Sequence, residues 1–119
     1  MILDSNIIIY ASKPEYVELR EFIAQYSPSI SVVSYVEVLG YHSLTVEDKD
    51  YLERFFQTSR LITISQEILD HAVRLRQQRK MLLGDSLIAG TALSLKLTLV
   101  TRNVADFKWC GDLKILDPL

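Results

Sequence analysis

With only one cysteine, Cys110, the chain can form no internal disulfide, and no Cys-x-x-Cys pair offers a structural zinc site. A reducing compartment follows, and the cytoplasm is the expected home. Long apolar runs are missing as well: nothing approaches the roughly 18 residues that span a bilayer. Met1-Ile2-Leu3-Asp4 carries no basic leader, so neither membrane insertion nor export is expected. Positive charge is not in excess either. Lys and Arg number 13 against 15 Asp and Glu, for a formal net charge of −2. Such a chain exerts no general pull on a polyanion, and any nucleic-acid binding would rest on a local basic patch or on bound cations. The two histidines, His42 and His71, lack the acidic or cysteine spacing of a metal site. No repeat, linker or low-complexity segment divides the 119 residues, of which 49% are apolar and 24% charged. These proportions describe a single ordinary globular domain over 1–119.

What is present alternates between short apolar runs and amphipathic stretches. Met1-Ile2-Leu3 predicts a buried strand ending at Asp4, followed by a helix capped by Ser5 or Asn6. A second helix runs from Pro14 to about Tyr26, where Ser27-Pro28 breaks it. Ser29 to Val32 is short and β-branched. Ser34 then stands three residues before Glu37, the spacing of a capping box at the head of a helix. Thr45 and Val46 precede an amphipathic helix over Glu47 to Gln57, and Leu61 to Ile64 predicts another strand. Ser65 and Glu67 begin a long helix with a basic far end of Arg74, Arg76, Arg79 and Lys80. Gly84 interrupts that pattern, and Asp85 is a candidate cap for the next helix, which carries Leu87, Ile88, Ala92 and Leu95. Leu97 to Val100 and Leu113 to Leu116 complete the strands, with a loop at Thr101 to Asp106 between them. Strands alternating with helices predict an α/β fold, a parallel sheet covered by helices on both faces.

Most of the acidic residues lie in polar stretches and need no role beyond solvation. Three stand apart. Asp4 ends an apolar strand, Glu37 lies between Val36 and Val38, and Asp85 lies between Leu82-Leu83 and Leu87-Ile88. A carboxylate desolvated there needs water, a donor or a cation. Open parallel sheets bind ligands at the carboxyl ends of their strands, where Asp4 and the Thr101 to Asp106 loop both fall. If Asp4, Glu37, Asp85 and Asp106 converge, their like charges raise one another's pKa until a divalent cation neutralises them. An all-oxygen site of this kind suits Mg²⁺ or Mn²⁺ rather than zinc. Such ions activate water and stabilise a leaving phosphate oxygen, so phosphodiester hydrolysis needs no Ser, Cys or His nucleophile. Each residue also has a purely structural reading: Glu37 as part of a capping box, Asp4 and Asp85 as caps.

Four stretches taken in order resemble the PIN-domain ribonucleases, and among them the VapC-like toxins of toxin–antitoxin pairs. They are Leu3-Asp4-Ser5-Asn6, Val36-Glu37-Val38, Gly84-Asp85-Ser86-Leu87-Ile88-Ala89, and Thr101-Arg102-Asn103-Val104-Ala105-Asp106-Phe107. The resemblance covers essentially the whole chain. It implies a Rossmann-like sheet and Mg²⁺- or Mn²⁺-dependent endoribonuclease activity. It also implies a homodimer, and inhibition by a small antitoxin. It maps the acidic set onto Asp4, Glu37 and Asp85, with Asn103 or Asp106 at a less uniform fourth position. Asp4, Asp85 and Asp106 are then the expected metal ligands, and Glu37 a ligand or water-orienting base. Ser5 and Thr101 would supply hydrogen bonds, and Arg79 and Lys80 would meet RNA phosphates.

Two other readings are compatible with the same residues. One is a PIN-like module that binds an antitoxin or nucleic acid without appreciable cleavage. The other is phosphotransfer with Asp4 as nucleophile, which would ordinarily want a second Asp where Asn6 stands. Arg74, Arg76, Arg79 and Lys80 equally complement a helix dipole. Trp109 and Cys110 are expected to pack the last loop against the sheet.

Overall fold

A computed structural model describes all residues, 1–119. The strands are β1 (Ile2–Leu3), β2 (Ile30–Ser31), β3 (Leu61–Ile62), β4 (Leu99–Val100) and β5 (Ile115–Leu116). The helices are α1 (Ser5–Ala11), α2 (Val17–Tyr26), α3 (Val32–Leu39), α4 (Val46–Gln57), α5 (Gln66–Gln78), α6 (Leu83–Leu95) and α7 (Val104–Phe107). One 3₁₀ turn, Pro14–Tyr16, precedes α2.

All strand pairings are parallel. β1 pairs with β4 and β4 with β5, while β2 pairs with β3. A single parallel bridge, Ile2 to Ser29, joins the two groups, so the strands lie in the order β3-β2-β1-β4-β5. This is the expected Rossmann-like arrangement, in which β1 lies at the point where the winding changes direction. Ile2 and Leu99 belong to one buried cluster, with Leu75, Ile88, Ala89 and Phe107. Their chain neighbours Leu3 and Val100 belong to the other, with Ile7, Ile8, Val38 and Leu52. Successive strand residues point to opposite faces, so the sheet carries a core on each face, and α6 and α1 lie on different sides.

Several element boundaries differ from the sequence reading. Asp4 itself, in extended conformation, occupies the cap position of α1, so Ser5 and Asn6 are the first helical residues rather than caps. Ser31, not Ser34, caps α3: its hydroxyl accepts the Val33 N–H, and Ser34 is buried a turn further on. The predicted capping box at Glu37 is therefore absent. α6 begins at Leu83, with Leu82 at its cap, which places Gly84 and Asp85 inside the first turn instead of before it. The strands are two residues each, shorter than their apolar runs. β2 stops at Ser31 because that residue already caps the next helix. Within the Thr101 to Asp106 loop the chain turns once more into α7. Thr45 does cap α4, with Asp48 returning the bond as a capping box, and Ser65 caps α5.

Candidate active site

The register of β1 and β4 builds the centre of the site. Leu3 stands opposite Val100, so the next residues along, Asp4 and Thr101, emerge side by side at the carboxyl ends of the two central strands. The Thr101 hydroxyl donates to Asp4 Oδ2 at 2.8 Å and accepts the Asn103 N–H at 3.0 Å. Asp4 is only 3% exposed. Burial pushes its carboxyl pKa up and the charge of Glu37 adds to this, while the Thr101 hydrogen bond and the first N–H groups of α1 pull it down.

Glu37 arrives from α3. Ser5 donates to Glu37 Oε1 at 2.7 Å, and the Ser5 and Ser34 hydroxyls lie 2.9 Å apart. On its other side Glu37 lies against α6 at Gly84, where a β-carbon would stand 2.3 Å from Oε2. Only a glycine admits the carboxylate that close, which accounts for a poor helix former in the first turn of α6.

Asp85 follows directly. Burial first, then the charges of Asp4, Glu37 and Asp106, push its carboxyl up to about 6, and no hydrogen bond opposes the rise. The structure thus brings Asp4, Glu37, Asp85 and Asp106 into electrostatic range of one another. As they stand, no three of them close on a point that could hold one ion. The donor set is nonetheless all-oxygen, and Asp85 is a carboxylate with no donor to satisfy it. Both features fit a hard divalent cation, which would have to draw the carboxylates inward.

Among the other residues singled out by sequence, Asn103 is tied to the site through its backbone N–H. Ser5 and Thr101, expected to hydrogen-bond substrate, are buried, and their hydroxyls are taken up by Glu37, Ser34 and Asp4. They position carboxylates. Arg79 and Lys80 line a cleft of about 510 Å³ that also includes Asp85 and Asp106. Sequence reasoning missed Ser34 and Gly84 as site residues. Gly84 did carry a signal, a glycine adjoining Asp85 inside an apolar helical pattern. Ser34 carried a misleading one, since its spacing to Glu37 imitates a cap.

An all-parallel sheet of this order, with acids gathered at its carboxyl ends, defines a Rossmann-like α/β domain with a polyacidic site. The sequence matches the PIN domain over residues 1–108, and the chain belongs to the PIN-domain family. No curated protein matches it. Among solved structures it is similar to a chain of a toxin–antitoxin complex from Klebsiella pneumoniae, at 30% identity and a TM-score of 0.76, covering 99% of this chain and 97% of that one. It is also similar to a chain of VapBC-1 from nontypeable Haemophilus influenzae, at 28% identity and a TM-score of 0.79, covering 98% and 96%. A chain of DNA-bound VapBC from Salmonella typhimurium, at 21% identity, shares the fold with a TM-score of 0.86 over 99% and 97%. No helix is long and apolar enough to cross a membrane.

Proposed function

We propose that this chain is the toxin of a VapBC-type toxin–antitoxin pair, and that it is a Mg²⁺- or Mn²⁺-dependent endoribonuclease acting in the cytoplasm. The observation that carries the reading is Asp85, a half-buried carboxylate without a donor, pushed up by burial first and then by the charges of Asp4, Glu37 and Asp106, beside the carboxyl ends of the central strands. Groups arranged so that they repel one another cost stability, and a functional site is where such a cost is retained. The similarity to chains from toxin–antitoxin complexes supports an antitoxin partner. A homodimer is part of the same proposal.

Asp4, Asp85 and Asp106 would hold the cation, with Asn103 at the rim. A cation held there would supply charge neutralisation, polarisation of the phosphodiester and a more nucleophilic water. Thr101 opposes the burial-driven rise of the Asp4 pKa and fixes the carboxylate's orientation by donating to Oδ2. Ser5 holds one Glu37 oxygen, and the other, free of any hydrogen bond and lying against Gly84, would be the one to accept a proton from the attacking water. Of the four carboxylates Asp4 alone is buried, so its interactions with the others are the least screened, while Glu37 and Asp106 remain open to solvent.

A second reading, a partner- or RNA-binding module with little cleavage, is favoured by one observation: the carboxylates do not close on one point. Labelled total RNA incubated with purified, antitoxin-free protein and Mn²⁺ or Mg²⁺, beside an Asp85→Asn preparation, separates the two. Metal-dependent cleavage by the unsubstituted protein alone is the expected outcome. Equal cleavage by both preparations, or none with either metal, overturns the nuclease in favour of the binding module.

A further inference from the structure

The cleft beside the carboxylates contains a feature that the hydrolytic site does not require. Arg76, Arg79 and Lys80 line it together with Asp85, Asp106 and Trp109. The Trp109 indole is fixed by its edge: Nε1 donates to the Asp106 carbonyl at 2.8 Å, on the same turn that presents the Asp106 carboxylate. The Arg79 guanidinium lies over its ring, 5.3 Å from the centroid. Below, the side chain packs on the core that contains Ile88 and Phe107. A planar aromatic group is thus held rigidly at the mouth of the acidic site, with a cation over one face and two more cations in the same cleft.

We infer that Trp109 is a stacking platform for an unpaired nucleotide base next to the phosphodiester that is cut, with Arg79, Arg76 and Lys80 taking the flanking phosphates. This rests on the ribonuclease reading above and adds to it the place of one base beside the phosphodiester that is cut. An incoming base takes the place of Arg79 over the indole, and the guanidinium turns to a phosphate. The exchange is favourable, because a base–aromatic stack contributes on the order of 5- to 150-fold in affinity, whereas an exposed cation–π contact contributes only about 2- to 5-fold. A base inside a duplex has both faces covered by its neighbours and cannot reach the ring. An acidic peptide would satisfy the three cations but leave the indole face unmatched. A nucleotide matches both, with its phosphates on the cations and its base on the ring.

Trp109 is the only tryptophan in the chain, so intrinsic tryptophan emission reports this ring alone. The test uses Asp85→Asn protein in chelator, titrated with a short single-stranded oligoribonucleotide, the same sequence as a blunt duplex, and an acidic peptide, with binding followed independently by anisotropy. The expected result is quenching by the single strand and not by the duplex. Trp109→Leu should bind the single strand on the order of ten-fold more weakly, and Trp109→Phe should recover most of the loss. If Trp109→Leu fails to fold, the quenching measurement decides by itself. Saturated binding with emission unmoved overturns the platform, as does quenching by the peptide in preference to RNA, which would make the cleft a protein-docking surface. RNA cleavage by the unsubstituted protein without quenching sinks the platform and leaves the nuclease standing. Loss of both cleavage and binding sinks both.

Discussion

Replacing Asp85 with asparagine should stabilise the metal-free protein while abolishing its cleavage of RNA. Asp85 titrates near 6 in the folded chain against an ordinary value of 3.8. A carboxyl whose folded pKa is raised binds its proton more tightly in the native state than in the unfolded one, so stability falls as pH rises between the two values. The penalty is nearly absent below about pH 4, grows between about 4 and 6, and is complete at neutrality, where it amounts to roughly 2 to 3 kcal/mol. Asparagine preserves the shape and carries no charge to desolvate. In urea unfolding with chelator at pH 7.5, Asp85→Asn should therefore exceed the unsubstituted protein by roughly 2 kcal/mol, and the two should converge toward pH 4. The raised carboxyl of Asp4 acts in the same direction in both proteins, so the variant keeps a weaker pH dependence of its own. Mn²⁺ should raise the Tm of the unsubstituted protein and leave that of Asp85→Asn nearly unchanged. A variant less stable at pH 7.5, or a stability difference independent of pH, would refute the reasoning, since Asp85 would then be satisfied by contacts that asparagine cannot copy.

Gly84→Ala places a β-carbon 2.3 Å from Glu37 Oε2. Because alanine is the better helix former by about 1 kcal/mol, the fold should survive with its Tm little changed. The displaced Glu37 should lower kcat by on the order of 100-fold, and unchanged kcat would show that the carboxylate has room to spare. Gly90→Ala acts on packing alone. Its β-carbon would stand 2.9 Å from the Ile68 carbonyl oxygen and 3.2 Å from the Ala72 nitrogen, both backbone atoms of α5. Chemical denaturation should show a loss of about 1 to 3 kcal/mol, and a neutral outcome would mean that α5 and α6 can slide apart without cost.

The central carboxylates were legible because each comes soon after an apolar pair, Asp4 at the end of the short strand β1 and Asp85 in the first turn of α6, so that they stand out against Leu3 and Leu83. Helix starts were readable where one capping side chain was available, as at Ser65 and Thr45. They were misplaced where two competed, as with Ser31 and Ser34. The start of α6 left no local trace: its cap is Leu82, and Leu82 and Leu83 are 73% and 60% exposed, against the expectation that leucine marks a core face. The position of Glu37 against Gly84 depends on how α3 meets α6, a contact between residues 47 apart that no local pattern can encode. The same holds for Trp109, where an aromatic near the end of a small domain reads as packing until its place in the cleft is known.

The two cores give the site a mechanical character. Glu37 stands beside Val38, which belongs to one of them, whereas Asp85 lies one turn from Ile88 and Ala89, which belong to the other. Asp4 sits at the seam, just past β1, the strand at which the two groups of strands are joined by a single bridge. The spacing of the carboxylates is therefore a gauge of how the two layers ride on the sheet. Gentle heating or partial denaturant that loosens one layer should extinguish catalysis while helical ellipticity is still intact.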